Sequence, residues 1–594
     1  MNINNFLFLE LTTSDLLTST PKNALKTDTM SIGYIEGSLL PSVIRQTDSM
    51  LLIVIGAPSY TQIIDNNAFI ERYLELKSTN TSLSSIDGEF LIIECDLVKS
   101  NITVINSRFG TPIVFYASFS DRLIISTSYK ILYDFLIRHR LSKLNTDVCY
   151  DLIRFRRLFN DDTYDTNSKY LPPATILKWN GKLSLERYWT PNYSKNNLTL
   201  EENAYSLVEH VKHSIAYKTS DNNRYGIMQS GGLDTRLILA NFTNPPHAFT
   251  ITYSKNREYN IAKQLVDFKN GDHSWIQVKD RQYLTNFDKA SSVTGAMYMS
   301  DCLFYGHEDV IRGNCDVIFA GYGMDYFFQG MYLPSKMYSI FGEPIPWFKT
   351  LGRIKGNFVD YFINNISYYT KGLDIKDILS NRQIAKMNDR ISYSLSSQLE
   401  DARNYADNPY DIWEYMSLGD LSRHYTYGGQ LALMETAELR NISYTNSMLD
   451  LYLSVPHEQR FDARILREAL KITDERFYNL QSANHGYPAG YSSLERSISH
   501  IWKHLPERIG VRKKERSFER TWLEGDAVLR TDLKKKVLNL KRSDVLADLD
   551  IIDMKKLKPM IDLWCEGKIQ GGQTFTVLLT LESFLSKNET SGLN

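Results

Sequence analysis

The stretch RYGIMQSGGLDTRLILANF, residues 224–242, reads as a strand, a glycine turn and a helix in succession. A second strand, HAFTITYS (247–254), and a second helix, EYNIAKQLVDF (258–268), follow directly. Alternation of this kind predicts a parallel, doubly wound α/β sheet with its ligand at the carboxyl ends of the strands. The turn itself is Ser230, Gly231, Gly232, Leu233, Asp234, Thr235. Its glycines let the backbone curve so that N–H groups, with the N-terminus of the following helix, cradle a polyphosphate. Asp234 could hold Mg²⁺ beside it. A glycine-rich strand-to-helix turn also occurs as a plain structural turn, so the motif alone leaves both readings open. Neither GxxxxGK[ST] nor GxGxxG is present, which removes the main support for kinase-like and dinucleotide-binding readings.

Upstream, TPNYSKNNLT (190–199) is polar and turn-rich, and residues 191–199 read as a linker. Thr199 with Glu202 three residues on is a capping-box signature, and Ala204, Val208, Val211 and Ile215 give the helix that follows one apolar stripe. Before the linker, short runs rich in Val, Ile, Phe and Tyr recur between turn residues: MLLIVIGAP (50–58), GEFLIIECD (88–96), ITVINS (102–107), IVFYAS (113–118) and RLIISTS (122–128). Several are apolar at nearly every position, which predicts a layered sandwich with both sheet faces covered, in part by a helix over NAFIERYLELK (67–77). From about 331 to 594 the pattern is mostly helical. The chain thus divides into 1–190, the linker 191–199, and 200–594.

Composition fits a soluble, multidomain globular protein: 594 residues, 43% hydrophobic and 23% charged. The 68 Lys and Arg almost cancel the 69 Asp and Glu, so there is no bulk attraction for nucleic acid or an anionic membrane. The five cysteines show no metal spacing, and no signal peptide or long apolar span is visible, so the expected location is the cytoplasm.

SGGLDT resembles the pyrophosphate loop of the ATP pyrophosphatase superfamily, and the wider chain resembles the asparagine synthetase family. IDGEFLIIECD (86–96), SRFGTPIVFY (107–116), STSYKIL (126–132) and LPPATILKWNGKLSLERYW (171–189) are similar to successive signatures of that family's class II glutaminase domain. FAGYGMD (319–325), AELRN (437–441), LYLSVPHEQRF (451–461), ILREAL (465–470) and LPERIGVRKKERSFERTW (505–522) continue the likeness in family order. The fold this implies is an N-terminal glutaminase-like, Ntn-type αββα sandwich followed by a doubly wound parallel-sheet ATP pyrophosphatase domain with a helical C-terminal part.

The resemblance implies an enzyme that adenylates a carboxylate, releases pyrophosphate, and lets an amine displace AMP to form an amide. ATP is the substrate that activates, with Mg²⁺ as cofactor. Ser230, Gly231, Gly232, Leu233, Asp234 and Thr235, with Gly321 and Gly323 of the second loop, match the ATP and pyrophosphate contacts. Asp234 and Asp325 match the two magnesium carboxylates, and Lys514 falls where the family places a lysine on the phosphates. The family's lysine just before LREAL is replaced here by Ala463, with Arg464 one place on.

Two departures narrow the reading. Glutamine-hydrolysing relatives use an N-terminal cysteine, whereas this chain begins Met1, Asn2, Ile3, and its first cysteine is Cys95, inside a predicted strand. Tyr322, in GYGMD, is similar to the GYGxD loop of β-lactam synthetase and lasso-peptide cyclase-like members; in β-lactam and carbapenam synthetases that tyrosine, paired with a glutamate, deprotonates an amine of the substrate. A phenol of ordinary pKa near 10 suits an ammonium of similar pKa. The position of the glutamate falls around Tyr425 to Tyr427, which makes the neighbouring His424 the candidate partner, with Glu435 and Glu438 on the following stretch.

The expected function is an ATP-dependent amide ligase independent of glutamine, joining its carboxylate to an amine of a peptide or small molecule, intramolecularly in a β-lactam or macrolactam closure. The alternatives are amidation of a sugar acid by free ammonia in surface polysaccharide synthesis, and a non-catalytic ATP-binding scaffold. Expected partners are the carboxylate substrate with its amine and proteins of a biosynthetic cluster, with no nucleic acid and no membrane insertion. Segments 331–419 and 472–504, the latter carrying NLQSANHGYPAGYSS, exceed the expected core and suit a lid or peptide-contacting surface.

Overall fold

A computed structural model describes residues 3–13, 17, 23–27, 30–76, 83–340, 343–484, 486–508 and 525–586. In the N-terminal half the short apolar runs pair into two six-stranded antiparallel sheets. The first has the order β10 (Ser168–Tyr170), β8 (Phe115–Ser118), β9 (Arg122–Ser126), β1 (Leu7–Thr12), β3 (Ser31–Glu36), β2 (Asn23–Lys26). The second runs β12 (Leu183–Arg187), β11 (Thr175–Trp179), β7 (Asn101–Asn106), β6 (Phe90–Asp96), β5 (Met50–Gly56), β4 (Ser42–Gln46).

Side chains alternate across each strand, so a strand apolar at every position serves two cores at once. Leu51, Ile53 and Ile55 of β5 meet Leu7, Leu9 and Leu11 of β1 between the sheets. Leu52 and Val54 face the other way, onto Phe69, Ile70 and Tyr73 of the helix Asn66–Leu76. On the far side Phe8 and Ile124 pack against Leu132 and Phe135 of the helix Tyr129–Arg138. The result is an αββα layering, as the two-faced apolar strands predicted.

Residues 191–199 form no helix or strand, and the helix Leu200–Lys218 opens on the full capping box: Glu202 N donates to Thr199 Oγ1 at 3.2 Å and Thr199 N to Glu202 Oε2 at 2.8 Å. Beyond it lies a five-stranded parallel sheet of order β15 (His273–Gln277), β14 (His247–Thr252), β13 (Tyr225–Met228), β16 (Val317–Ala320), β19 (Glu438–Asn441). Chain order runs outward from β13 to β15 and then resumes on its other flank at β16. The sheet therefore reverses between β13 and β16, and a doubly wound sheet opens its ligand crevice at that point.

The stretch read as helical is so for the most part, with two exceptions. ELRN forms β19, and β17 (Ser335–Ile340) pairs antiparallel with β18 (Glu343–Leu351). The final helix, Gly572–Ser586, is buried along its length and joins the halves, its Phe584 ring 5.0 Å from that of Tyr133. Among the described residues no helix is long and apolar enough to cross a membrane.

Candidate active site

The two strands at the reversal each end in one of the glycine loops. Beyond β13 lies Ser230 to Thr235, and beyond β16 lie Gly321 to Asp325. Together they line a cavity of about 240 Å³ with Ser230, Asp234, Thr235, Gly321, Tyr322 and Asp325 on its wall. Met228, Phe249, Ile251, Leu303, Phe304 and Leu433 give it an apolar side.

The first loop is held at both backbone groups of one residue. Gly231 N donates to Glu258 Oε1 at 2.6 Å, and Gly231 O accepts from Arg236 Nη2 at 3.1 Å. A Cβ on Gly231 would lie 2.5 Å from that of Ala483, so only glycine fits under the segment above it. Ser230 Oγ accepts from Gly232 N at 3.1 Å and shares a hydrogen bond with Thr235 Oγ1, also 3.1 Å. The helix Leu233–Asn241 then begins with Gly232 as its cap, which brings no side chain to the first N–H groups, while the Asp234 carboxylate bonds its own N–H. An uncapped helix start at a cavity wall offers donors and the positive end of the helix dipole.

The second loop approaches just as closely. A Cβ on Gly321 would meet Asp234 Cβ and Thr235 Cγ2, both at 3.0 Å, and Gly323 turns at φ +87° against Ser443 and Tyr444. Two half-buried carboxylates face the same space. Burial pushes Asp234 up to about 6, against relieving hydrogen bonds from Gln329 Nε2 at 2.7 Å and from its own backbone N–H. Asp325 is raised well above the usual carboxylate range by burial and then by the charge of Asp234. No Lys or Arg is on the described wall. Like charges held together without a cation are costly, and a hard divalent ion with oxygen ligands is the group that relieves them. The donor set therefore fits Mg²⁺, with Asp234 and Asp325 as its holders.

Tyr322 lines the same cavity. Its phenol is raised by burial, then by Asp301 and Asp325, and its hydroxyl fills the place a Cβ on Gly429 would take, 2.5 Å away. Asp301 is itself raised by burial and accepts from Leu303 N at 3.1 Å and Tyr283 OH at 3.3 Å. His424 lies elsewhere, in the core among Tyr326, Tyr332, Tyr368 and Tyr425, with ring centroids 4.6–5.7 Å away. Its Nδ1 meets Thr426 Oγ1 at 2.9 Å, its Nε2 has no hydrogen-bond partner, and burial with Arg157 and Arg156 lowers its pKa well below the usual value. No contact between Tyr322 and His424 occurs among those of the described residues. Glu435 accepts from Asn4 N and Asn5 N, and Glu438 pairs with Arg440 at 2.6 Å. Arg464 donates to Glu458 O at 3.2 Å from the start of the helix that Ala463 opens. Lys514 lies outside the described residues.

Glu258, Arg236, Gln329 and Asp301 were not singled out by the sequence. Arg236 also donates to Phe477 O, Leu480 O and Gln481 O, each at 2.8 Å, while Arg257 Nε donates to Ala483 O at 2.9 Å. The segment around 477–483 is thereby fastened over the Ser230 loop.

A reversing parallel sheet with two glycine loops at its crevice and a pair of carboxylates on the cavity wall defines a doubly wound α/β domain. Residues 206–470 match the family model described as asparagine synthase. Among solved structures, the chain aligns with a glutamine phosphoribosylpyrophosphate amidotransferase from B. subtilis complexed with ADP and GMP, at 9% identity, 47% of this chain, 77% of that one and a TM-score of 0.18. It aligns similarly with a structure described as the allosteric regulatory enzyme of purine biosynthesis, at 10% identity, 55% of this chain, 70% of that one and a TM-score of 0.19. A comparison with curated proteins returned no match.

Proposed function

We propose that the protein is a ligase that adenylates a carboxylate at the expense of ATP, releases pyrophosphate, and joins the acyl group to an amine without hydrolysing glutamine. The observation that carries this reading is the pair of raised, facing carboxylates, Asp234 and Asp325, at the mouth of an uncapped helix. Mg²⁺ bound there supplies positive charge to the polyphosphate and to the pyrophosphate as it leaves. The chain's own part is positional. Glu258 and Arg236 fix the Gly231 peptide, and the N–H groups at the start of the Leu233–Asn241 helix donate to phosphate oxygens. The apolar side of the cavity takes the base, and Lys514 completes the neutralisation of phosphate charge.

Tyr322 serves the second half-reaction. Its raised phenol rests in the protonated form, so it acts as a relay: its oxygen takes the proton leaving the amine while its own proton passes to Asp301. The amine comes from the substrate itself in a ring closure, or from a second peptide or small molecule. All five cysteines are buried, and purified protein should release no glutamate from glutamine. ATP–pyrophosphate exchange across a panel of carboxylates is the test of the reading. Exchange that depends on one carboxylate class supports adenylation and names the substrate; release of ADP and phosphate in its place would sink it.

A further inference from the structure

The helix Ser493–Arg508 lies on β18 with its polar face inward. Arg496 and Ser497 are buried, and the Arg496 guanidinium pairs with Asp462, which Arg467 also holds at 3.2 Å. The large apolar side chains are on the outside: Leu494, Ile498, Ile501 and Trp502 are 54, 48, 47 and 71% exposed. A surface helix ordinarily turns such a stripe to the core and its charges to water. Rolling the stripe inward here would break the buried Arg496–Asp462 pair, so it is held outward.

A scattered exposed leucine means little, but four large apolar side chains along one helix face mark an interaction surface. The spacing says of what kind. Leu494, Ile498 and Ile501 stand four and three residues apart, the interval of a helix-pair seam, and the next member of the series in sequence is Leu505. Leu, Ile, Ile, Leu at intervals of four, three and four reads the same in both directions. Such a stripe is its own complement under a two-fold axis: antiparallel copies set Ile498 of one against Ile501 of the other, and Leu494 against Leu505. That arrangement also opposes the two helix dipoles. It brings the Glu495 end of one helix to the Lys503 end of the other, whereas a parallel pair would set like charge against like.

We propose that the helix Ser493–Arg508 is a docking surface for a second copy of this chain, paired antiparallel about a two-fold axis between Ile498 and Ile501. Its 16 residues give a seam about 24 Å long. One seam of that length buries less than the roughly 1,600 Å² of a standard interface, so the dimer is a weak one, with a Kd of about 10–100 μM. No residue of the stripe lines the cavity at the sheet's reversal, and the inference does not depend on the reaction proposed above.

Sedimentation velocity of the full chain from about 1 to 500 μM tests it, and a reversible monomer–dimer equilibrium within that range is expected. Ile498→Asp and Ile501→Asp each put a charge at an exposed position outside the core. Each should weaken the dimer by about tenfold or more with the thermal midpoint of the dilute monomer unchanged. Cross-linking reads the direction. All five native cysteines are buried, so a mixture of Ile498→Cys and Ile501→Cys chains should form a disulfide-linked dimer at least about threefold faster than either variant alone. A monomer throughout the range overturns the proposal, whether a peptide, a membrane or this same chain then covers the stripe. So does a dimer that survives both Asp substitutions, or a mixture that cross-links no faster than its components.

Discussion

The interface between the halves and the cavity at the sheet's reversal bury acidic side chains in opposite ways. In the N-terminal half Glu89 accepts from Asn441 N and Asn441 Nδ2, both at 3.0 Å, and lies 3.6 Å from the buried Lys218 ammonium. Its neighbour Asp87 accepts from Gly88 N and Asn446 N, each at 2.7 Å. Near the linker, Glu414 is bridged by Arg460 with both bonds at 2.6 Å, and Asp411 holds Lys195 at 2.9 Å and His457 at 2.8 Å. These acids are all consumed by the protein. Asp234 and Asp325 differ: Asp234 accepts from Gln329 Nε2 and Asp325 from Tyr326 N at 3.0 Å, but they line one cavity together with no cation on its described wall. A buried acid that has its partners is holding the fold together. One whose nearest charged neighbour is another acid is waiting for a ligand.

Substitution at both places breaks or sharpens this contrast. Asp234→Asn and Asp325→Asn should each abolish ATP–pyrophosphate exchange, since each removes a hard oxygen charge from the Mg²⁺ position. Their thermal stability without nucleotide should hold or rise, because a repulsion has been relieved. Glu89→Gln should do the reverse. It strands the Lys218 charge at the interface and costs about 3 kcal/mol of stability, while exchange per folded molecule stays near normal. Exchange lost in Glu89→Gln at full folding would show that the N-terminal acids belong to the chemistry.

Next in size is Lys514→Met. The loss of an electrostatic stabiliser on the phosphates should slow exchange by about a hundredfold or more while ATP binding remains measurable. Normal turnover would mean that the cation for this acid-lined cavity comes from another residue.

Much of the scaffold was legible because it rests on local rules. Thr199 and Glu202 stand at capping-box spacing and form both bonds, and the two-faced apolar strands around β5 require cover on each side. The Ser230–Thr235 and Gly321–Asp325 loops lie at neighbouring strand ends because alternating strand and helix leaves the sheet only one reversal point. What could not be read was tertiary. Glu258 and Gln329 are ordinary polar residues until folding sets one against Gly231 N and the other against Asp234. Arg236 was in plain view within the motif helix, yet its acceptors are carbonyls around 477–481, some 240 positions away. The hairpin of β17 and β18 was hidden in a stretch that is helical around it, where Pro344 and Pro346 are the signal against a helix.

Tyr322→Phe separates the half-reactions. The ring and its packing against Phe304 and Gly429 remain, so exchange should be near normal. Amide formation should fall by about tenfold or more, the lower part of the range for proton transfer. Equal loss of both steps would place the hydroxyl in the nucleotide site, and no loss would leave the phenol as a packing group. Asp301→Asn should repeat the Tyr322→Phe pattern if Asp301 is where the relayed proton goes.

The smallest effect is expected at His424, and it tests whether the rule about partners extends from acids to bases. His424 has one hydrogen bond, to Thr426 Oγ1, and that hydroxyl is also bonded by Tyr326 OH. The surrounding rings and the charges of Arg156 and Arg157 keep the imidazole neutral, so it brings neither a cation nor a proton within reach of the cavity. Its unpaired Nε2 differs from the paired acids in one respect: it costs stability and gives nothing back. His424→Phe keeps a flat ring in the tyrosine cage and removes that unpaired nitrogen. The lost hydrogen bond and the relieved nitrogen should nearly cancel, so stability should stay within about 1 kcal/mol of the parent. Exchange and amide formation should both stay within about twofold, far below the tenfold floor for a proton-transfer group. A selective loss of amide formation at normal exchange would instead make His424 the partner that Tyr322 needs. The relay would then run through Thr426 and Tyr326 rather than Asp301.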